Sequence, residues 1–359
     1  MVRRPRLDPE IFHLPVEKMR EGYYSDKYFV RTRELLLKDD HRPCVTMQVF
    51  GKAHAFLGGI DEAIAILKLC SMEWPELEVY ALYDGDEIAL WETVLLIEGP
   101  YDAFAHLETL YLGVLARRTK VGTNTRLVVE AARPKQVMFF PARHDHWLVQ
   151  TGDGYAAHIA GAIGVSTDAQ ASWWGSEGVG TVPHALIAAY GGDTVLASKK
   201  FADLMDGGMR LITLVDFEND CVGTALKVAR ALGERLYGVR IDTSETLVDT
   251  SVIPQMGTFK PTGVNPQLVR NVRRALDEEG FEHVKIVVSG GFTVEKIRQF
   301  EEQEVPVDMY GVGSSLFQGR FDFTADVVRV EGKPLAKVGR SYRRDRLERY
   351  LVWYDKHLK

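Results

Sequence analysis

The spacing of apolar and polar positions divides the chain into two regions with different patterns. In the first 115 residues, short alternating runs predict strands at residues 45–50, 79–83 and 93–97. Residues 61–70 have helical spacing, and we take Asp61 as the start signal of that helix. From residue 101 to 132 the apolar side chains recur three or four positions apart, which again predicts helix. We therefore expect a mixed α/β region at the N-terminus.

From Gln136 onwards, short apolar runs end in polar or glycine-rich clusters and alternate with helical stretches. The predicted strands are residues 137–140, 211–215, 236–239, 284–288 and 307–310. The predicted helices are residues 219–232, 266–279 and 293–302. This order is typical of βα units around a parallel sheet or barrel. Residues 327–330 and 335–338 alternate like strands, and we expect this last segment to return to the N-terminal region.

Composition and charge narrow the class of protein. The 359 residues include 44 Lys and Arg against 50 Asp and Glu, a net charge of −6, so no basic excess favours nucleic acid as a partner. No apolar run reaches the ~20 residues of a membrane span, and we expect no secretory signal. The three cysteines are far apart and form no CxxC, which fits a reducing cytoplasm. We expect a cytoplasmic enzyme.

Polar side chains follow several of the predicted strands. Asp216, Arg240, Asp242 and Ser289 each lie at or just after the carboxyl end of an apolar run. In α/β barrels this end of the strands carries the active site. A single Asp or Ser there is equally well explained as a helix cap. Their recurrence on successive units favours a site.

Two glycine clusters follow the last predicted strands. They are Ser289, Gly290 and Gly291, and then Gly311, Gly313 and Ser314. Open backbone N–H groups at such turns, with a helix start behind them, bind phosphate. Glycine also serves ordinary turns. Two clusters on adjacent late strands favour a phosphate site.

His184 and Arg143 are further candidates. Pro183 suits the first turn of a helix, which places His184 near the helix start, where the helix dipole favours a neutral imidazole. His184 is either a nucleophile or proton-transfer group, or a packed or surface histidine. Arg143 follows a strand and is either a bidentate clamp for carboxylate or phosphate, or a solvated surface charge.

From about residue 22 to 340 the chain resembles the type II phosphoribosyltransferases, and among them the short-form nicotinate phosphoribosyltransferases. The resemblance follows the family's order of motifs. The matching segments are Ser25-Asp26-Lys27-Tyr28-Phe29, Glu98-Gly99-Pro100, Phe140-Pro141-Ala142-Arg143-His144, Gly180-Thr181-Val182-Pro183-His184-Ala185, Arg240-Ile241-Asp242-Thr243, the two glycine clusters, Phe323-Thr324-Ala325-Asp326 and Lys337-Val338-Gly339-Arg340.

The resemblance implies an α/β fold, with an irregular TIM-like (β/α) barrel and an N-terminal α/β sandwich domain completed by C-terminal strands. The implied domains are an N-terminal sandwich at residues 1–118, a catalytic barrel at 119–320, and C-terminal strands and a helix at 321–359 that return to the N-terminal domain. The implied reaction transfers a phosphoribosyl group from phosphoribosyl diphosphate to nicotinate, releasing diphosphate, in NAD salvage.

Roles for individual residues also follow from the resemblance. Arg143, Thr181 and Arg240 would bind the substrate, Asp242 and Asp216 would face the ribose, and the glycine clusters would hold its phosphate. His184 would accept a phosphoryl group from ATP as co-substrate. Tyr28 would stack on the pyridine in a neighbouring subunit's site, which implies a homodimer or higher oligomer. Magnesium would arrive with the diphosphate, without a protein metal site of its own.

Some positions depart from the family pattern, and other functions stay open. Thr243-Ser244-Glu245 replaces the family's Ser-Gly-Asp, and Pro141 and His144 replace a glycine and an arginine. No cysteine follows Cys221, so we expect no C-terminal zinc cluster. Nicotinamide or quinolinate could be the acceptor, and a non-catalytic nucleotide-sensing paralogue is a further alternative. An aldolase would want a lysine at a strand end, but Lys285 lies inside its predicted strand.

Overall fold

Two sheets of different type organise the chain. The computed structural model describes residues 4–205 and 209–343, and the backbone of Val352–Trp353. It divides into two units, Met1–Thr123 with Gln318–Lys359, and Asn124–Phe317, which are described separately. The strands are β1 Cys44–Gly51, β2 Ala55–Phe56, β3 Glu78–Ala81, β4 Glu87–Ile88, β5 Thr93–Pro100, β6 Gln136–Phe139, β7 Gly164–Val165, β8 Ile212–Leu214, β9 Gly238–Ile241, β10 Lys285–Val288, β11 Met309–Val312, β12 Phe323–Val330, β13 Lys333–Pro334 and β14 Val352–Trp353. The α-helices are α1 Val16–Arg20, α2 Lys27–Lys38, α3 Ile60–Cys70, α4 Tyr101–Phe104, α5 Glu108–Ala132, α6 Gln150–Ala160, α7 Asp168–Ala171, α8 His184–Ala189, α9 Thr194–Leu204, α10 Cys221–Leu232, α11 Pro266–Glu278 and α12 Val294–Glu302.

The first unit is built on an antiparallel sheet with strand order β13-β12-β1-β5-β3-β14. Strand β12 pairs with β1, with Val330 opposite Val45, so the C-terminal segment completes the N-terminal sheet as predicted. Apolar side chains of α3 and of the first turns of α5 pack on the sheet and form its core. The strand predicted at 335–338 is wrong. Val338 is 99% exposed, and an apolar residue without a partner surface gains nothing from pairing.

The start of α3 differs from the prediction. Gly59, with φ of 89°, occupies the N-cap position, so Asp61 is not the cap. A carboxylate from elsewhere in the chain supplies the cap, because Asp84 accepts a hydrogen bond from the backbone N–H of Ile60 at 2.8 Å. Asp61 lies in the first turn and pairs with Arg6 at 2.6 Å. A capping partner 24 residues away leaves no local signal in the sequence.

The second unit is built on a parallel sheet with strand order β7-β6-β11-β10-β9-β8. A parallel bridge between Val182 and Thr213 extends it at the β8 edge. Its central strands are buried, as expected for parallel strands covered on both faces. The predicted fold class, a barrel-like parallel α/β unit with an antiparallel α/β unit, is confirmed.

Two strands of the parallel sheet end later in the chain than predicted. Arg240 is inside β9, and Gly311 is inside β11. Both belong to the sheet ladder because parallel strands continue wherever a neighbour supplies hydrogen bonds, whatever the polarity of the side chain. The helix predicted near the C-terminus lies outside the described residues beyond Arg343. Among the helices that the structure describes, none has the length and apolar character of a membrane span.

Candidate active site

Arg240 is the centre of a hydrogen-bond network at the carboxyl edge of the parallel sheet. Its Nε donates to Ser289 Oγ at 2.8 Å, one Nη to Thr181 Oγ1 at 3.2 Å and the other Nη to Asp242 Oδ2 at 3.1 Å. Ser289 Oγ in turn donates to Asp242 Oδ1 at 2.7 Å. The structure therefore brings together four of the residues singled out in the sequence.

The network holds the guanidinium in place but leaves some of its N–H donors unused. An arginine side chain carries five N–H donors, and the three bonds above leave one hydrogen on each Nη. Phe140 places its ring 5.3 Å from the guanidinium carbon, which restricts one face of the group. The side chains of Arg240 and Asp242 are about one-fifth exposed. Two charge-assisted donors thus remain for a ligand.

His184 and Asp216 form a second pair at this edge. His184 is the first residue of α8, and its Nε2 lies 3.1 Å from both oxygens of Asp216. A carboxylate only accepts, so Nε2 carries the hydrogen. Asp216 is buried, whereas His184 is 44% exposed. No partner for Nδ1 is found among the described residues, which leaves that nitrogen open to a ligand.

The pKa of His184 is shifted in the direction opposite to the one predicted from the helix dipole. The hydrogen bond to Asp216 is the main cause of a raised pKa for the imidazole, and burial opposes it only in part. A carboxylate in direct contact outweighs a helix terminus, whose effect is about 0.3–1 kcal/mol at exposed sites. Pro183 is the N-cap residue and not the first helical residue, one position earlier than predicted.

The turn between β10 and α12 requires its glycines. Gly290 and Gly291 have φ of 86° and 66°, in the left-handed region that side chains disfavour. A Cβ on Gly291 would also clash with Oε1 of Glu245, which lies against the turn. The turn therefore has no side chains of its own at these two positions, as a phosphate site needs, although Glu245 lies against it at Gly291.

The second glycine cluster is tightly packed by the segment after β6. A Cβ on Gly311 would lie 2.6 Å from the Phe140 ring, and one on Gly313 would lie 2.9 Å from the His144 imidazole. Close packing is thus a sufficient reason for these two glycines. Ser314 is exposed at the start of a short 3-10 helix, Ser314–Phe317. Its role in phosphate binding stays a prediction.

Arg143 and Tyr28 are not among the residues that hydrogen-bond to Arg240. Arg143 is exposed in the 3-10 helix Ala142–His144 and pairs with no described residue. Tyr28 belongs to the other unit, in α2, where it is 60% exposed beside the Phe29 ring at 4.2 Å. Their roles toward the substrate stay predictions.

Sequence reasoning missed three residues beside the Gly290–Gly291 turn and the Arg240 network. Lys296 donates to the Gly290 carbonyl at 3.1 Å and lies 4.3 Å from the Phe292 ring centre. Glu245 covers Gly291, and Phe140 covers Arg240. Glu245 stands out in the sequence only as a departure from the family pattern. The position of Lys296 in the first turn of α12 carries no signal that separates it from a solvated lysine.

Carboxylates for a metal ion are sparse at this edge. Two carboxylates at this edge are those of Asp216 and Asp242. All four of their oxygens already accept hydrogen bonds. Within residues 4–205 and 209–343, no group of three or more His, Cys, Asp or Glu is arranged to hold a metal ion.

Comparison with known proteins identifies the family. A sequence model of the quinolinate phosphoribosyl transferase N-terminal domain matches residues 26–119. The crystal structure of a nicotinate-nucleotide pyrophosphorylase from Pyrococcus furiosus is 34% identical, with a TM-score of 0.79 over 92% of this chain and 81% of that one. The chain belongs to the type II phosphoribosyltransferase family. The resemblance stated from the motifs is confirmed.

Other type II phosphoribosyltransferases are more distant or longer. A nicotinate phosphoribosyltransferase of Mycobacterium tuberculosis (pncB1) is 31% identical over 253 residues, which are 68% of this chain and 52% of that protein. The chain thus spans about half the length of the curated relatives it matches. Human nicotinic acid phosphoribosyltransferase shares the fold, with a TM-score of 0.66 at 18% identity, over 87% of this chain and 75% of that one.

Proposed function

We propose that this type II phosphoribosyltransferase makes nicotinate mononucleotide and diphosphate from nicotinate and phosphoribosyl diphosphate, coupled to ATP hydrolysis, in NAD salvage. The observation that carries the proposal is the His184–Asp216 pair at the same sheet edge as the Arg240–Asp242–Ser289 network. It joins a histidine with one open nitrogen to a site for anions. The names of the curated relatives support nicotinate as the acceptor.

The transfer needs anion binding and stabilisation of a developing cation. The two remaining N–H groups of Arg240, with Arg143, would bind the nicotinate carboxylate. The bare backbone at Gly290 and Gly291 would hold the ribose phosphate. When diphosphate leaves, the sugar becomes oxocarbenium-like, and the carboxylates of Asp242 and Asp216 would stabilise that charge. Magnesium, bound with the diphosphate, would neutralise the leaving group.

His184 would couple ATP to this reaction. With Nε2–H held by Asp216, Nδ1 would attack the γ-phosphorus of ATP, forming an N–P bond as the bond to the ADP oxygen breaks. Hydrolysis of the phosphohistidine would then return the imidazole. Because Nδ1 must be unprotonated to attack, we expect ATP stimulation to increase with pH through the raised pKa of His184.

The remaining proposals concern assembly and location. Tyr28 would reach the pyridine in the site of a second copy, so the active form would be a homodimer or higher oligomer in the cytoplasm. A fully active monomer in gel filtration would exclude this role for Tyr28. Neither nucleic acid nor a membrane is proposed as a partner.

The proposed reaction is tested by diphosphate release from phosphoribosyl diphosphate with magnesium. Nicotinate, nicotinamide and quinolinate are supplied in turn, each with and without ATP. We expect turnover with nicotinate that ATP increases. Turnover with only one of the other two compounds would show that this compound, and not nicotinate, is the acceptor. Tight binding of the mononucleotide without any turnover would indicate a sensing protein instead.

The role of His184 is tested by the variant His184→Ala, with His283→Ala as the control. His283 is also exposed but lies outside the site. We expect His184→Ala to lose stimulation by ATP and to keep slow ATP-independent turnover, because Arg240 and Asp242 are untouched. His283→Ala should respond to ATP as the wild type does. Full ATP stimulation of His184→Ala would rule out the phosphoryl-accepting role.

Quinolinate is the second candidate acceptor, since the matching N-terminal sequence model bears its name. Two carboxylates would require more cations than the two free N–H groups of Arg240 and the exposed Arg143 supply, so we favour nicotinate. The structure does not support an aldolase reaction, which would need a lysine at the carboxyl end of a strand. Lys285 begins β10 at its amino end, opposite the site, and pairs with Asp308 at 3.3 Å.

A further inference from the structure

A cavity lies beside the Gly290–Gly291 turn, with Gly291 in its lining. Its volume is about 550 Å³, and it is lined by side chains from residues 259–267, by the N-terminal part of α11, by α12 with the residues that flank it, and by Glu245. Ligand sites for nucleotide-sized molecules have volumes of about 300–1,000 Å³. The cavity is therefore large enough for a ligand of that size.

Cationic side chains outnumber carboxylates in this cavity. Lys260, Arg270 and Lys296 line it, against Glu245 and Glu295. Glu295 is already engaged with its own backbone N–H and with the hydroxyl of Thr293. These bonds lower the pKa of Glu295, which therefore keeps its charge. Three cations against two carboxylates give the lining a formal charge of +1. The balance of charge favours an anionic ligand.

Two of the cations, Lys260 and Lys296, line the same cavity. Burial is the main cause that lowers the pKa of Lys296, the charge of Glu245 opposes it, and the charge of Lys260 lowers it by a smaller amount. Lys260 is exposed and pairs with no described residue, and Lys296 contacts two neutral groups, the Gly290 carbonyl and the Phe292 ring. An anion between the two ammonium groups would be attracted by both.

Each of the two helix starts already has a side-chain cap, so we assign the binding to the lysines. Asn265 caps α11 by accepting from the N–H of Leu268 at 3.0 Å, and Thr293 caps α12 by accepting from that of Lys296 at 3.3 Å. Both helix dipoles still add positive potential to the cavity. A compact ligand with several negative charges suits these surroundings better than a single carboxylate does.

We propose that this cavity is a second anion site, which binds the polyphosphate group of a nucleotide or an inorganic polyphosphate between Lys260 and Lys296. The site is distinct from the Arg240 network and does not depend on the proposed reaction. Gly291 lines the cavity, and Lys296 donates to Gly290, so the occupied cavity would share the turn with the predicted ribose-phosphate site.

The proposal is tested by calorimetric titration of the full chain with sodium tripolyphosphate, ATP and adenosine. The variants are Arg240→Gln, Lys260→Gln and, as a control for net charge, Lys227→Gln. Lys227 is an exposed lysine of α10 that lies 3.8 Å from Glu218, outside the cavity. We expect Arg240→Gln to keep one binding site for tripolyphosphate. In the double variant Arg240→Gln with Lys260→Gln, the affinity of that site should fall at least tenfold. Adding Lys227→Gln in place of Lys260→Gln should leave that site within twofold.

The titrations with ATP and adenosine show whether the cavity binds the polyphosphate group or the nucleoside. ATP and tripolyphosphate should both bind to Arg240→Gln, and adenosine should not. Equal tripolyphosphate affinity with and without Lys260→Gln would overturn the proposal, as would adenosine binding as tightly as ATP. Diphosphate release by Lys260→Gln, measured separately, distinguishes the two proposals. If Lys260→Gln loses the tripolyphosphate site but keeps turnover, the result supports the cavity site alone. If the wild type shows no turnover but has the Lys260-dependent site, the result contradicts the proposed reaction and not the cavity site.

Discussion

At the residue scale, carboxylates orient the basic groups of the site. The side chain of Asp216 is buried and contacts Nε2 of His184 through both oxygens, which holds the ring and raises its pKa. Asp242, which is about one-fifth exposed, accepts a hydrogen bond from Arg240, and Ser289 is a second acceptor for the same guanidinium. A buried carboxylate is itself costly unless it is paired, so the contact with His184 also stabilises Asp216.

The variant Asp216→Asn should lower the pKa of His184 toward the ordinary histidine value of about 6.5, because the largest cause of its increase is lost. The imidazole resonances of His184 in NMR spectra, followed from pH 5 to 9, would show this. Glu218→Gln is the matched control, since Glu218 is exposed and pairs instead with Lys227. An unchanged titration in Asp216→Asn would mean that another group charges His184.

At the element scale, four helices of the second unit begin at side-chain caps that local sequence encodes. Asp193, Asp220, Asn265 and Thr293 each accept a backbone N–H from the first turn of α9, α10, α11 and α12. Such caps contribute about 0.5–2 kcal/mol each. Because a cap acts within a few residues, the starts of α10, α11 and α12 could be predicted within two residues.

Two helix glycines should respond oppositely to alanine. Gly113, inside α5, has open space where the Cβ of an alanine would lie, so Gly113→Ala should stabilise the protein by about 0.5–1 kcal/mol through helix propensity. Gly154, inside α6, packs against the backbone of Gln170, so Gly154→Ala should destabilise it by about 1–3 kcal/mol through overpacking. Urea unfolding of both variants measures this, and changes of the same sign would contradict it.

At the scale of the whole molecule, two buried groups make stability depend on pH in opposite directions. Burial lowers the pKa of His106 to about 4, so its contribution is complete above the ordinary value of 6.5 and is lost as the pH falls toward 4. Burial, with Asp326 and Asp26, raises the pKa of Glu108 to about 8. Its contribution is complete below the ordinary value of 4.5 and is lost as the pH rises through 8.

The variant Glu108→Gln should therefore be more stable relative to the wild type at pH 8.5 than at pH 5, because the wild type must ionise a buried carboxyl as the pH rises. Urea midpoints at the two pH values, compared between variant and wild type, cancel the contribution of His106. Glu282→Gln, at an exposed position, is the control. A stability difference that stays constant from pH 5 to 8.5 would show that Glu108 ionises as an exposed glutamate does.

Much of the fold could be predicted from the sequence because its signals are local. Apolar alternation located β1, β3 and β5, and the βα rhythm located β6 and β8 to β11 with α10 to α12. The order of motifs identified the family. The same reasoning placed a strand at 335–338, where alternation had no neighbouring surface to pack on. The domain boundaries at 118 and 320, and the roles of the site residues, stay predictions.

The sequence by itself determined which residues cluster at the strand ends, since parallel strands place their carboxyl ends at one edge. Only the tertiary structure decided what those residues contact. Asp216, 32 residues away in the sequence, contacts His184 and raises its pKa, and Glu245 and Lys296 border the glycine turn from different elements. Electrostatics and packing act through space over a few ångströms, so partners distant in sequence leave no trace in local spacing.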